Sequence, residues 1–203
     1  MTIIINGHEN YNESKLNKEM LKKIKVNKNT KLFNLDDIDL EDKNVIELQR
    51  KELEKADKVI FIGPVYWYSW TSLTAKWFEN VFISGWGFAS NNENDKYYYK
   101  NENGKMTFHG VGGFENTKVE VWLTAGGPLD SYKKGGYNNN EMPKYLFNLV
   151  QNFTLAKANY NKLSIYHMAS DNWYSVNPEN LDLKDVEIKS KFSNFVKEFT
   201  KSF

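Results

Sequence analysis

The 203-residue chain carries 27 basic and 26 acidic residues for a net charge of +1, so no broad field draws it to nucleic acid or an anionic membrane. It has no cysteine, which excludes disulfides, thiolate metal sites and cysteine nucleophiles together and leaves redox work to a cofactor. The length suits one α/β domain with a sizeable core, so residues 1–203 are expected to form a single domain, and no metal site is expected.

The opening stretch MTIIINGHENYNESK has three successive isoleucines with no basic segment before them. It is neither a signal peptide nor a membrane span, and a cytoplasmic protein is expected. Short β-branched or aromatic runs recur at residues 3–5, 31–35, 59–62, 119–123 and 163–168, and each reads as a buried strand. Between them lie helical spacings: Leu16, Met20, Leu21 and Ile24, then Val45, Leu48, Leu53 and Ala56, then Leu73, Trp77, Phe78, Val81 and Phe82. A fourth helix is expected over residues 142–160 and a fifth over 186–203, with Ile188, Phe192, Phe195, Val196 and Phe199 inward. Residues 84–116, rich in Asn, Gly and Tyr, are too long for a simple connection and read as an inserted loop or hairpin, with a turn at HGVGGFEN.

Strands alternating with helices predict a doubly wound three-layer sandwich, with five parallel strands in the flavodoxin-like order 2-1-3-4-5. In such sheets ligands bind beyond the carboxyl ends of the strands, where the order reverses between the first and third. Those ends carry GHENYNESKLN and GPVYWYSW, and the fourth strand ends in LTAGGPLDSY. The first loop can offer N–H groups to a phosphate, although Ser14 or Asn12 can equally serve as a plain helix cap; it holds no Walker lysine and no G-x-G-x-x-G. Tyr66, Trp67, Tyr68 and Trp70 cannot all pack inward from one turn; they either wall a flat ring ligand or seal the top of the sheet. Gly126 and Gly127 permit close approach of a ligand edge, or make an ordinary strand-to-helix turn.

These segments resemble the flavodoxin-like NAD(P)H:quinone oxidoreductases, the family of DT-diaphorase, the modulator-of-drug-activity proteins and the ancillary oxidoreductases of potassium efflux. PVYWYSWTSLTAKWFENVF is similar to the family's P-L-Y-W-Y-S-x-P-x-L-L-K-x-W-x-D-x-V-F, GHENYNESKLN to its G-H-P with Ser and Asn following, and TAGG to its T-T/A-G-G. The chain departs from the pattern at Glu9, Thr71 and Glu79, and at Tyr137, where some members carry histidine.

The resemblance implies a flavin, FMN or FAD. His8, Ser14, Leu16 and Asn17 would hold its phosphate. Pro64, Val65, Tyr66, Trp67 and Tyr68 would line the isoalloxazine ring, and Thr124, Ala125, Gly126 and Gly127 would meet its pyrimidine side. Gly126 and Gly127 would steady developing charge, while Tyr132 and Tyr137 would take part in catalysis. NADPH or NADH would be the donor, and a quinone or similar small molecule the acceptor, in a ping-pong cycle. The family also implies a homodimer, expected here through the helix around Trp77 and the 84–116 insert. Two other readings are a flavin-binding regulatory subunit of a potassium-efflux transporter and a flavodoxin-type electron carrier, the latter disfavoured by the near-neutral charge.

Overall fold

The computed structural model describes residues 1–83, 85–88, 90, 92–98, 112–133, 135–137, 153, 158–177 and 186–203. In chain order they form β1 (Thr2–Asn6), α1 (Lys15–Leu21), β2 (Thr30–Asn34), α2 (Lys43–Leu53), β3 (Lys58–Pro64), α3 (Ser72–Val81), β4 (Lys118–Ala125), β5 (Asn159–His167), β6 (Asn172–Val176), β7 (Lys189–Ser190) and α4 (Phe192–Phe199). Short 3-10 turns follow β2, β4, β5 and α4.

Among the described residues the sheet has seven strands in the order β2-β1-β3-β4-β5-β6-β7. The first five pair in parallel and keep the expected 2-1-3-4-5 order. Alternation of side chains along each strand feeds two cores. Ile3, Ile5, Val59, Phe61, Val121 and Leu123 pack with α2 and α3, whereas Ile4, Ile60, Ile62 and Trp122 pack with Met20 of α1 and Phe195, Val196 and Phe199 of α4. Phe61 lies at the centre of the first core, with ring centroids of Trp70, Trp77, Phe78 and Phe153 all within 5.9 Å. Removing such a ring costs about 3–5 kcal/mol.

The expectation of five strands is corrected by β6 and β7, both antiparallel. Asp171 takes a left-handed conformation (φ 49) after β5, and its carboxylate accepts from the Tyr166 hydroxyl at 2.9 Å and from the Phe192 N–H at 2.9 Å. The chain therefore doubles back instead of crossing over, and β6 buries Trp173, Tyr174 and Val176. The same pairing shortens the last helix: Lys189–Ser190 bonds to β6, so α4 starts at Phe192 and leaves Ile188 partly exposed.

Two side-chain assignments also change. Leu48 faces solvent, and the inward face of α2 is Ile46, Gln49 and Leu53, because Gln49 Oε1 accepts from the Trp77 indole N–H at 2.9 Å. Trp77, which donates that bond, is wholly buried. Most of the fourth helix expected at 142–160 lies outside the described residues, and Asn159 and Tyr160 belong to β5. Of the 84–116 insert, the described parts include Trp86 and Phe114, both buried against Phe82, and a turn closed by the Glu115 N–H to the Gly112 carbonyl.

Candidate active site at the strand ends

Register brings the carboxyl ends of four strands to one edge: Asn6 lies beside Ile62, Pro64 beside Thr124, and Ala125 beside His167. The loops beyond them are stitched together by named bonds. The Gly7 N–H donates to the Ile62 carbonyl at 2.9 Å, and the Val65 N–H donates to the Thr124 carbonyl at 2.8 Å. Thr71 caps α3 by accepting from the Thr74 N–H, and its own hydroxyl donates to the Gly7 carbonyl at 2.5 Å. A proline at this position, as in the related pattern, could not make that bond. Glu9, the other departure in these loops, accepts from the Ser72 hydroxyl and ties the first loop to the same helix start.

The stitched loops enclose a cavity of about 320 Å³ lined by His8, Ser14, Lys15, Leu16, Pro64, Val65, Tyr66, Thr124, Ala125, Gly126 and Met168. This is the low end of the range for small-molecule sites, about 300–1,000 Å³. A larger depression of about 530 Å³ runs between α1 and α4, away from every strand-end motif.

Eight of the cavity residues are ones expected from sequence: His8, Ser14, Leu16, Pro64, Val65, Tyr66, Thr124 and Ala125, with Gly126 a ninth. The structure does not place Asn17, Trp67, Tyr68, Gly127, Tyr132 or Tyr137 on that lining. Asn17 is buried behind Ser14, whose hydroxyl caps α1 by accepting the Asn17 N–H at 3.1 Å; the capping alternative therefore holds for Ser14, while the Asn17 Oδ1 is buried without a partner among the described residues. Tyr132 is nearly buried and meets Tyr68 edge to face at 6.2 Å, and burial raises its pKa. Tyr137 is 91% exposed. Lys15 and Met168 were not anticipated. Met168 follows the end of β5, where the strand-end rule alone could have found it, and Lys15 adjoins Ser14.

The aromatic loop is more unusual than its composition suggests. Tyr66 and Ser69 exchange both backbone hydrogen bonds, and the two residues between them, Trp67 and Tyr68, have φ of 49 and 62. Two positive φ angles are the signature of a type I′ turn, which asparagine and glycine ordinarily fill. An L side chain there costs about 1–2 kcal/mol. The Trp67 ring does not recover this by burial, being 93% exposed, whereas Trp70 is buried. Backbone strain that no packing repays is concentrated at ligand sites.

Whether these residues suit a flavin can be tested on three observations. An ideal Cβ at Gly126 meets nothing within 4 Å, so its missing side chain leaves open space at the cavity. Polar groups suited to a phosphate, His8, Ser14 and Lys15, lie together on the lining, while Pro64, Val65 and Tyr66 give apolar wall. An exposed indole stands at the adjacent turn. The residues fit the group.

A family model described as flavodoxin-like fold, Flavodoxin_2, matches residues 1–177. The chain belongs to this family. Among relatives of this flavodoxin-like chain, the uncharacterized NAD(P)H oxidoreductase YdeQ of Bacillus subtilis (strain 168) is 25% identical over 202 residues, 98% of this chain and 86% of that protein. The NAD(P)H dehydrogenase [quinone] 1 of Rattus norvegicus is 30% identical over 95 residues, 47% of this chain but 29% of the rat protein. The crystal structure of general stress protein 14 from Treponema denticola in complex with FMN superposes with a TM-score of 0.68 at 15% identity, covering 99% of this chain and 96% of that one. Among the described residues no helix is long and apolar enough to cross a membrane, and no group of three or more His, Asp or Glu side chains could hold a metal ion.

Proposed function

We propose that this chain is a flavin-dependent NAD(P)H oxidoreductase that passes two electrons to quinones or related small acceptors. The observation that carries the reading is the convergence of three strand-end loops on one cavity of about 320 Å³, beside a strained turn whose indole is left in solvent. The names of the rat and Bacillus relatives support the same chemistry.

Bound flavin would supply hydride acceptance from NAD(P)H and two-electron delivery to the acceptor. His8, Ser14 and Leu16 would hold its phosphate, with the Lys15 ammonium adding charge and Asn17 supporting them from behind through its bond to the Ser14 hydroxyl. Pro64 to Tyr68 would wall the ring and exclude water from one face. Thr124 to Gly127 would meet its polar edge, where the Gly126 and Gly127 N–H groups steady negative charge, an effect of about 3 kcal/mol on a barrier when water is excluded. Tyr132 would stiffen the Tyr68 wall. Tyr137 would reach the acceptor from outside. The 320 Å³ cavity favours FMN over the larger FAD. A single cytoplasmic domain acting as a homodimer completes the reading.

The absorption spectrum of the purified protein, with the released flavin identified by mass, tests the assignment, and NAD(P)H turnover with menadione should give parallel double-reciprocal lines. Trp67→Ala should weaken flavin retention, while Tyr137→Phe should slow turnover with flavin still bound. The reverse pattern, or a colourless protein that ignores added FMN, overturns it.

A further inference from the structure

We infer that His167 is a positioning residue: its imidazole Nδ1–H holds the Gly127 carbonyl and so sets the Gly126–Gly127 turn against the cavity. The inference rests on the flavin reading only for what the turn serves, not for how it is held.

His167 is the last residue of β5 and lies beside Ala125 in register, one step from the turn. Its side chain has no exposure, and Nδ1 is 3.2 Å from the Gly127 oxygen. A carbonyl can only accept, so Nδ1 must carry the proton. Nε2 is then left buried with no partner among the described residues, a placement that costs stability. Ala169 and Ser170, just beyond, complete the hold. The Ala169 N–H donates to the Gly126 carbonyl at 3.3 Å, and the Ser170 hydroxyl accepts from the Leu129 N–H at 3.0 Å.

Both glycine carbonyls are thus fixed from the end of β5, and among the described residues no hydrogen bond takes the N–H of Gly126 or Gly127. Those are the donors a ligand edge needs. The imidazole is itself clamped between Tyr132 at 4.9 Å and Tyr174 at 5.6 Å, so Tyr68, Tyr132, His167 and Tyr174 form a continuous row of rings from the loop mouth into the core. Burial pushes the His167 pKa down to about 4, so the ring stays neutral at pH 7 with one donor and one bare acceptor nitrogen.

Two variants separate the bond from the ring. His167→Phe keeps an aromatic between Tyr132 and Tyr174 without a donor, and His167→Asn puts an amide N–H where Nδ1 was without the ring. In the 15N-labelled wild type, imidazole shifts at pH 7 should show Nδ1 protonated and Nε2 bare. Amide exchange at Ala169 and Leu129 in the flavin-free protein should quicken about tenfold in His167→Phe, the worth of one hydrogen bond, and stay within about threefold in His167→Asn. The FMN Kd should follow the same pattern. An Nε2-protonated tautomer, unchanged exchange in His167→Phe, or His167→Asn behaving like His167→Phe would each overturn the inference. The tautomer is read on the wild type, so a variant that fails to fold does not protect the idea. Exchange that responds as expected in a protein that binds no FMN would sink the flavin reading and leave the hold on the turn standing.

Discussion

Gly126→Ala separates fold from function at one atom. An ideal Cβ on Gly126 finds no heavy atom within 4 Å, and its φ lies outside the left-handed region, so the folded chain accepts the methyl without strain. Loss of glycine's freedom in the unfolded chain then leaves the flavin-free protein as stable as before, or up to about 1 kcal/mol more so. If flavin fills that space, the methyl meets it, and overpacking a filled site costs about 1–3 kcal/mol. The FMN Kd should weaken by about 10- to 100-fold. Urea unfolding of the flavin-free protein gives the first number and fluorescence titration with FMN the second. Unchanged FMN affinity at unchanged stability would mean that no ligand occupies the space over Gly126, and the reasoning fails. Gly127→Ala is the control, because its Cβ would lie 2.8 Å from the Tyr132 hydroxyl and should disturb the protein before any ligand is added.

Three further outcomes follow from the same geometry. Gly7→Ala would drive its Cβ into Thr74 Oγ1 and should lower stability by about 1–3 kcal/mol; adding Thr74→Ala should recover part of that, so additive losses in urea unfolding would refute the contact. Trp67→Gly should raise the urea midpoint by the equivalent of about 0.5–1 kcal/mol, since relieved left-handed strain outweighs glycine's unfolded-state entropy and the exposed ring loses no burial; a clear fall would show the indole is packed. His167 is neutral when folded, with a pKa of about 4 against 6.5 when unfolded. The unfolded state therefore binds the extra proton first: the contribution is intact above pH 6.5 and is lost as pH falls from 6.5 towards 4, about 3 kcal/mol in all. A pH series of urea midpoints compared with His167→Asn measures it, and identical pH profiles for the two proteins would refute it.

Much of this was legible because the central strands are buried on both faces and read as apolar runs whatever their neighbours do. Ile3 to Ile5 and Val59 to Ile62 needed no partner to be recognised, and Gly7 and Pro64 marked where each run stops. β6 escaped notice because Asn172 and Ser175 interrupt its apolar residues and no glycine or proline announces the reversal; Asp171 makes the turn in a conformation that aspartate only occasionally adopts. Leu48 was misassigned because spacing weighs leucine above glutamine. Gln49 goes inward only because the Trp77 indole needs an acceptor, a demand made by a residue 28 positions away. His167 was invisible for a similar reason: a histidine among tyrosines reads the same whether it caps a turn or merely fills space. The strained turn was readable as aromatic but not as left-handed, since nothing in Trp67-Tyr68 favours positive φ.

The antiparallel addition to the sheet has a consequence for how copies of the molecule can meet. On that flank, among the described residues, the outermost strand is the two-residue β7, Lys189 and Ser190, with Lys191 beyond them in a left-handed conformation, a short row for an incoming strand to pair with. The opposite flank offers the five residues of β2, where Lys31 is drawn back to Glu52 of α2. Among the described edges β2 is the longer template for intermolecular extension of the sheet, and a second positive charge there is where a designer seeking higher working concentrations would start.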